Sequence, residues 1–208
     1  MNPASPLKIA VLLSGNGSTL QNLLDRIDAG TLSARVTCVV ASRENVFGIE
    51  RARNANIPAA AVPRKAFADT ASFSNAIWAE VSKHAVDLVV LAGFMSLLNV
   101  PETYRNRIMN VHPALIPAFC GQGMYGHHVH EAVIAYGAKI TGVTVHFVDD
   151  HYDHGPIILQ GTVPVHDGDT PDTLAERVQA EERELYPRAI QLFAEGRLRV
   201  EGRCVRIG

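Results

Sequence analysis

Apolar and polar positions alternate in blocks along the chain. Lys8 to Ser14 is a nearly unbroken apolar run of strand length, the pattern of a strand buried on both faces of a parallel sheet. Gly15-Asn-Gly17 breaks that run, and from Thr19 the residues Leu20, Leu23, Leu24 and Ile27 recur at helical spacing until Gly30. The same alternation predicts a strand over Val36 to Ala41, a helix over Phe47 to Ala55, a helix over Ala71 to His84 and a strand over Leu88 to Ala92. A further short strand is predicted at Ile108 to Val111. Alternating strands and helices of this length imply an α/β class with a doubly wound, mostly parallel sheet, because each right-handed crossover lays its helix on a sheet face. The second half reads differently. Ile140 to Phe147 and Ile157 to Val165 predict strands joined by a loop rich in Asp, His and Gly, an antiparallel element, and Pro171 to Glu195 predicts a long helix.

Composition narrows the class. With 47% hydrophobic and 19% charged residues over 208 positions, the balance is that of a globular chain, and we expect residues 1–208 to form one domain. The formal charge of −2, with both signs interspersed, leaves no basic stripe for a polynucleotide, so no nucleic-acid partner is expected. Met1 to Pro6 lacks a basic segment followed by an apolar run, and no later stretch approaches the roughly 18 apolar residues needed to span a bilayer. A cytoplasmic protein with no membrane partner is therefore expected. Cys38, Cys120 and Cys204 are odd in number and widely spaced, which suits reduced thiols.

Ligands of open α/β sheets collect beyond the carboxyl ends of the strands, so the loops there carry the candidate chemistry. Ser14-Gly-Asn-Gly-Ser-Thr19 opens the first helix, where backbone N–H groups and the helix dipole favour an anion. Leu20 stands where a third glycine would complete a dinucleotide fingerprint, so phosphate binding and an ordinary tight turn both fit the loop. Asn110-Val-His-Pro113 ends a predicted inner strand with Asn110 and His112 on one side. An amide donor and a group titrating near neutrality are thereby aimed alike, although a strand-end pair satisfying carbonyls is the plainer reading. In Asp149-Asp-His-Tyr-Asp-His-Gly-Pro156 at least one carboxylate can turn inward to pair with His112 and raise its basicity, and a solvated turn accounts for the rest. Histidines at 127, 128, 130, 146, 151 and 154 raise zinc as a reading, but no cysteine stands at ligand spacing and H-E-x-x-H is missing, so no metal is expected. Cys120 has no evident partner base to make it a nucleophile.

Six motifs in order then resemble one family, the folate-dependent phosphoribosylglycinamide formyltransferases of purine biosynthesis. They are Leu13-Ser-Gly-Asn-Gly-Ser18, Leu88-Val-Val-Leu-Ala-Gly-Phe-Met95, Asn110-Val-His-Pro113 with Leu115-Ile-Pro117, Thr144-Val-His-Phe147, Asp153-His-Gly-Pro-Ile-Ile-Leu-Gln160, and Arg177-Val-Gln179 with Glu182 and Tyr186-Pro187. The resemblance implies a Rossmann-like formyltransferase fold and transfer of formyl from 10-formyltetrahydrofolate, as cosubstrate, to the amine of phosphoribosyl-glycinamide. It further implies Asn110, His112 and Asp153 as the catalytic trio and Gly17, Ser18, Thr19, Gln179 and Glu182 as contacts to the phosphoribosyl substrate. Met95, Ser96, Leu97 and Leu98, with Asn110, would line the folate pocket, and the assembly would be a monomer or homodimer. Ser96 and Thr70 stand where relatives carry Arg near the folate's glutamate tail, which leaves Arg64 or Lys65 as substitute cations. Cys120-Gly-Gln-Gly-Met-Tyr-Gly126 is longer than in some relatives and reads as a flap over the site.

Rival activities are separated by other features. The first strand starts by Lys8, so the small N-terminal domain common in related folate hydrolases is not expected, and neither is the basic C-terminal domain of methionyl-tRNA formyltransferases after Gly208. A sugar-nucleotide formyltransferase would share the motifs. A nicotinamide-dependent dehydrogenase would need an acidic residue ending the second strand, where Ala41-Ser-Arg43 stands. A non-catalytic ligand-binding module would have no use for the trio together.

Overall fold

The computed structural model describes residues 5–208, so the expectation drawn from Met1 to Pro6 falls partly outside the described residues. Among the described residues nine strands, numbered along the chain, form one sheet in the order β3-β2-β1-β4-β5-β6-β7-β9-β8. Its parallel half contains β1 (Leu7–Leu13), β2 (Ala34–Ala41), β3 (Ala59–Ala61), β4 (Leu88–Leu91) and β5 (Ile108–His112). The antiparallel half begins where β6 (Ile140–Phe147) pairs with β5 and continues through β7 (Ile157–Pro164). A terminal hairpin, β8 (Leu198–Glu201) and β9 (Cys204–Ile207), closes the sheet.

Alternation along the inner strands produces two cores. Ile9, Val11 and Leu13 of β1 face one way, into a core shared with α1 (Ser18–Asp28), α2 (Phe47–Asn54), α4 (His127–Tyr136) and α5 (Pro171–Ala194). Ala10 and Leu12 face the other way, against Phe73, Ile77 and Val81 of α3 (Thr70–Val81). Both faces of the parallel half are thus covered by helices, which is why its strands read as continuous apolar runs rather than alternating ones. Predicted and observed bounds agree within a few residues. β3, α4 and the β8–β9 hairpin are additions, since a three-residue alanine strand and two exposed four-residue strands carry too little periodicity to be read and α4 buries only Val129, His130 and Val133.

The long helix α5 contains Pro187, whose missing N–H leaves the carbonyl of Arg183 without its helical partner. That carbonyl instead accepts from Asn22 Nδ2 at 3.0 Å and Arg26 at 3.5 Å, both on α1. The proline therefore ties the two helices that flank the glycine loop. Deeper in, the Tyr186 hydroxyl lies 2.8 Å from the Met109 carbonyl and 3.0 Å from that of Leu91, joining α5 to the ends of β4 and β5. Among the described residues no helix is long and apolar enough to cross a membrane.

Candidate active site

The carboxyl ends of β1, β4 and β5 open into a cavity of about 520 Å³. It gathers residues far apart in sequence: Ser18 and Thr19 of the glycine loop, Met95 to Leu98 after β4, Asn110 and His112 on β5, Asp153 after β6, and Gln179 and Glu182 on α5. Of the residues singled out in the sequence, Gly17, Arg64, Lys65, Thr70 and Cys120 are not in the wall. Gly17 has another part. It caps α1 with φ 75°, and a Cβ there would lie 2.8 Å from the Cα of Gly48, so the close approach of loop and α2 requires glycine at this position. No side chain caps α1. The Ser18 N–H is already taken by Asn16 Oδ1 at 3.0 Å, which shapes the loop from within.

Thr19 donates its hydroxyl to Glu182 Oε1 at 2.9 Å, joining the loop to α5. Burial raises the Glu182 carboxyl above its ordinary range, and the Thr19 bond offsets only part of that rise. In the segment after β4, Met95 N–H donates to Ser14 Oγ at 2.9 Å, and Ser14 is paired with Ser42 at 2.6 Å. This buried serine pair anchors the segment to the ends of β1 and β2. Arg64 donates to the Phe67 carbonyl at 2.8 Å and lies over the Phe73 ring, whereas Lys65 is exposed.

Asp153 organises a cluster of polar side chains on β5 and β6. Its Oδ2 accepts the Gly121 N–H at 3.0 Å and lies 3.4 Å from His112 Nδ1. Its Oδ1 lies 3.4 Å from Asn110 Nδ2 and 3.7 Å from His146 Nε2. Asp153 holds φ at 51°, a left-handed conformation that Asp tolerates better than most residues and that clusters at functional sites. Burial alone would raise this carboxyl, but the His146 imidazole, the charge of His112 and the Gly121 N–H together hold it below its ordinary range.

His112 is buried, and its Nε2–H donates to the Phe119 carbonyl at 2.8 Å. Phe119 is itself left-handed, with φ 50°. Pairing with Asp153 occurs as the sequence suggested, but its effect on basicity is outweighed. Burial lowers the His112 pKa below the usual imidazole value, with Asp153 and the Phe119 carbonyl opposing it and His146 adding to it. The ring is thus pinned at Nε2, and Nδ1, beside Asp153, is the nitrogen left to exchange a proton.

His146 has a larger part than its place in a motif suggested. It is buried, donates from Nδ1 to the Phe147 carbonyl at 2.8 Å, and presents Nε2 to Asn110 Nδ2 at 3.2 Å. In the β5–β6 register Asn110 faces His146 and His112 faces Thr144. An irregularity in the β6–β7 pairing falls between Val145 and His146, the kind of bulge that re-aims a side chain beside a site. Thr144 accepts from the Ile116 N–H at 3.0 Å and donates to the Ala114 carbonyl at 2.7 Å, bracing the chain that follows His112. The signal was available: two polar residues, Thr144 and His146, share one face of an otherwise apolar strand. Nothing in the sequence pointed to the Gly121 N–H or the Phe119 carbonyl.

The remaining histidines divide into separate groups. His151 and His154 gather with Asp149 on the exposed loop, with potential ligand atoms within 4.8 Å of one another. His154 already faces Asp149 at 2.6 Å through Nδ1 and Arg203 at 3.2 Å through Nε2, so both ring nitrogens have protein partners. The segment 121–126 forms one wall of the cavity and is joined to Asp153 through Gly121.

Fold and site together define an α/β enzyme with a polar cluster suited to proton movement and charge stabilisation in the wall of its cavity. A family model for formyl transferase matches residues 7–190. The chain belongs to the formyl transferase family. It is 38% identical over 196 residues to the phosphoribosylglycinamide formyltransferase of Escherichia coli, covering 93% of this chain and 90% of that protein. It is 39% identical over 195 residues to the bovine trifunctional purine biosynthetic protein adenosine-3, covering 93% of this chain but only 19% of that longer protein. The crystal structure of glycinamide ribonucleotide transformylase 1 from Symbiobacterium toebii is similar with a TM-score of 0.90 and 43% identity, covering 98% of this chain and 95% of that one.

Proposed function

We infer that the chain transfers the formyl group of 10-formyltetrahydrofolate to the amine of phosphoribosyl-glycinamide, giving formylglycinamide ribonucleotide and tetrahydrofolate, in the cytoplasmic synthesis of purines. The observation that carries the reading is the Asp153 carboxylate, which gathers Asn110 and His112 in the wall of a cavity that Ser18 and Thr19 of the glycine loop also line. The loop and the start of α1 receive the phosphate, and Gln179 and Glu182 hold the sugar. Met95 to Leu98, an apolar stretch interrupted by Ser96, suits the flat ring system of a folate.

Formyl transfer needs a donor for the oxygen that gains charge and a path for the proton that the amine loses. Asn110 supplies the donor. One amide hydrogen is held by His146, and the other, only loosely engaged at 3.4 Å from Asp153, turns to the developing oxyanion. His112 adds positive charge when protonated at Nδ1, a state that Asp153 favours against the cost of burial. As the bond from the amine nitrogen to the formyl carbon forms and the bond from that carbon to the folate nitrogen breaks, Asp153 and His112 pass the amine's proton to the folate nitrogen, directly or through water.

The test is absorbance-monitored consumption of 10-formyltetrahydrofolate with and without phosphoribosyl-glycinamide. Amine-dependent turnover is expected. Turnover that proceeds equally without the amine would identify a hydrolase and overturn the reading.

A further inference from the structure

The loop that carries Asp153 joins β6 to β7, and its own contacts hold it on either side of that residue. Before it, Asp150 Oδ1 accepts the Val100 N–H at 2.8 Å, and Asp149 accepts the His151 N–H at 3.0 Å. After it, a Cβ on Gly155 would lie 1.9 Å from the Phe147 carbonyl oxygen, so the chain turns back closely against β6 at a position that only glycine can fill. Between these anchors Asp153 holds φ at 51°. A left-handed residue other than glycine persists where its surroundings over-determine it, so whatever fixes the neighbouring backbone also fixes the direction of the Asp153 carboxylate.

One of those surroundings comes from the far end of the sheet. β9 lies parallel beside β7 with Cys204 opposite Ile157, and the turn that precedes it, with Gly202 at φ 62°, brings Arg203 to the end of the loop. Arg203 Nη2 donates to the His154 carbonyl at 2.6 Å, and Nη1 donates to His154 Nε2 at 3.2 Å. With Nε2 accepting, His154 Nδ1 carries the proton and donates to Asp149 Oδ2 at 2.6 Å. A guanidinium fork, an imidazole and a carboxylate thus form one chain that fixes both the backbone and the side chain of the residue next to Asp153. Arg203 does not line the cavity, so its influence on a reaction there passes through the loop. It also lies beyond residue 190, where the family model's match ends.

We propose that Arg203 is a positioning residue for Asp153, holding His154 so that the carboxylate stays directed at Asn110 and His112. This rests on the function proposed above and adds the terminal hairpin to the parts that set its chemistry. Arg203 is exposed, and an exposed contact contributes little to overall stability, so its loss is read in turnover rather than in unfolding.

A double-mutant cycle on kcat tests the proposal. Arg203→Met keeps most of the side chain's length and removes both donors. It is expected to lower kcat about three- to ten-fold, the scale of one or two hydrogen bonds, with the urea midpoint nearly unchanged. Arg206→Met removes another cation of the same hairpin, one paired with Glu201 at 3.4 Å, and is expected to keep the native kcat. In an Asp153→Asn background, where the carboxylate to be positioned is gone, adding Arg203→Met is expected to cost less than about two-fold. An equal loss in both backgrounds would mark a general structural role and overturn the inference, as would a matching loss in Arg206→Met. So would an Arg203→Met variant whose kcat stays within about two-fold of native. Absence of amine-dependent turnover in the unmodified chain would instead overturn the function itself, and this inference with it.

Discussion

Replacing Asp153 with Asn removes one charge and little else. Asn tolerates the left-handed backbone that Asp153 adopts at φ 51°, and its size is nearly the same, so the loop is expected to keep its path. What is lost is the attraction between the carboxylate and a protonated His112, whose Nδ1 lies 3.4 Å away. At an effective dielectric of about 20, two unit charges at that separation attract by about 5 kcal/mol, an upper bound of roughly three and a half decades in rate. Loss of a single preset donor, such as a misdirected Asn110 amide, costs about 100- to 1,000-fold. We therefore expect kcat to fall by about 100- to 3,000-fold, with smaller changes in either KM. The pH profile carries an independent sign. Burial already lowers the His112 pKa and Asp153 opposes that shift, so losing the carboxylate moves the His112 titration to still lower pH. Amine-dependent absorbance assays across pH 5 to 9 read both effects. A variant within about three-fold of the native kcat, with its pH limb unmoved, would refute the reasoning.

Other consequences follow from particular contacts. His146→Leu removes the Nε2 that holds Asn110 Nδ2 at 3.2 Å, so kcat is expected to drop about ten-fold or more with both KM values nearly unchanged, as steady-state kinetics would show. Tyr186→Phe deletes the hydroxyl shared by the Leu91 and Met109 carbonyls and should cost about 1–3 kcal/mol in urea unfolding; a midpoint unchanged from native would count against this. Folding stability should also depend on pH with a definite sign. His112 and His130 have folded-state pKa values lowered by burial, so their stabilisation is present above the unfolded value of about 6.5 and is lost as pH falls through the folded values. Glu182, raised by burial, acts in the opposite direction nearer the carboxylate range. Urea midpoints should therefore decline from pH 7 towards pH 5.5, and midpoints that rise over that window would contradict the burial argument.

The parts of the fold legible in the sequence were those where one physical signal dominated. The runs of β1, β2 and β4 are apolar because helices cover both faces there, and α1 and α5 carry strong apolar stripes. The β8–β9 hairpin was not read because its residues are half exposed and its strands short. In the site, Asn110 and His112 could be paired from alternation on one strand. Asp153 could be brought to them only as one of several carboxylates in its loop, and the resemblance of six motifs to a known family chose among them. The contacts that sequence could not supply depend on register and backbone: His146 opposite Asn110, the Gly121 N–H on Asp153, and the Phe119 carbonyl on His112. The same limit applies to basicity. A nearby carboxylate argued for a raised His112 pKa, but burial, visible only in three dimensions, is the larger influence.

The central claim is that Asn110, His112 and Asp153 direct a formyl group to an amine rather than to water. The most direct measurement follows an isotopically labelled formyl group from 10-formyltetrahydrofolate by mass spectrometry, in the native chain and in His112→Ala, with phosphoribosyl-glycinamide present. The account predicts label on the amine of the glycinamide product in the native chain and at least about 100-fold slower labelling in the variant. Label recovered from the native chain as formate, or equal labelling by both proteins, would contradict it.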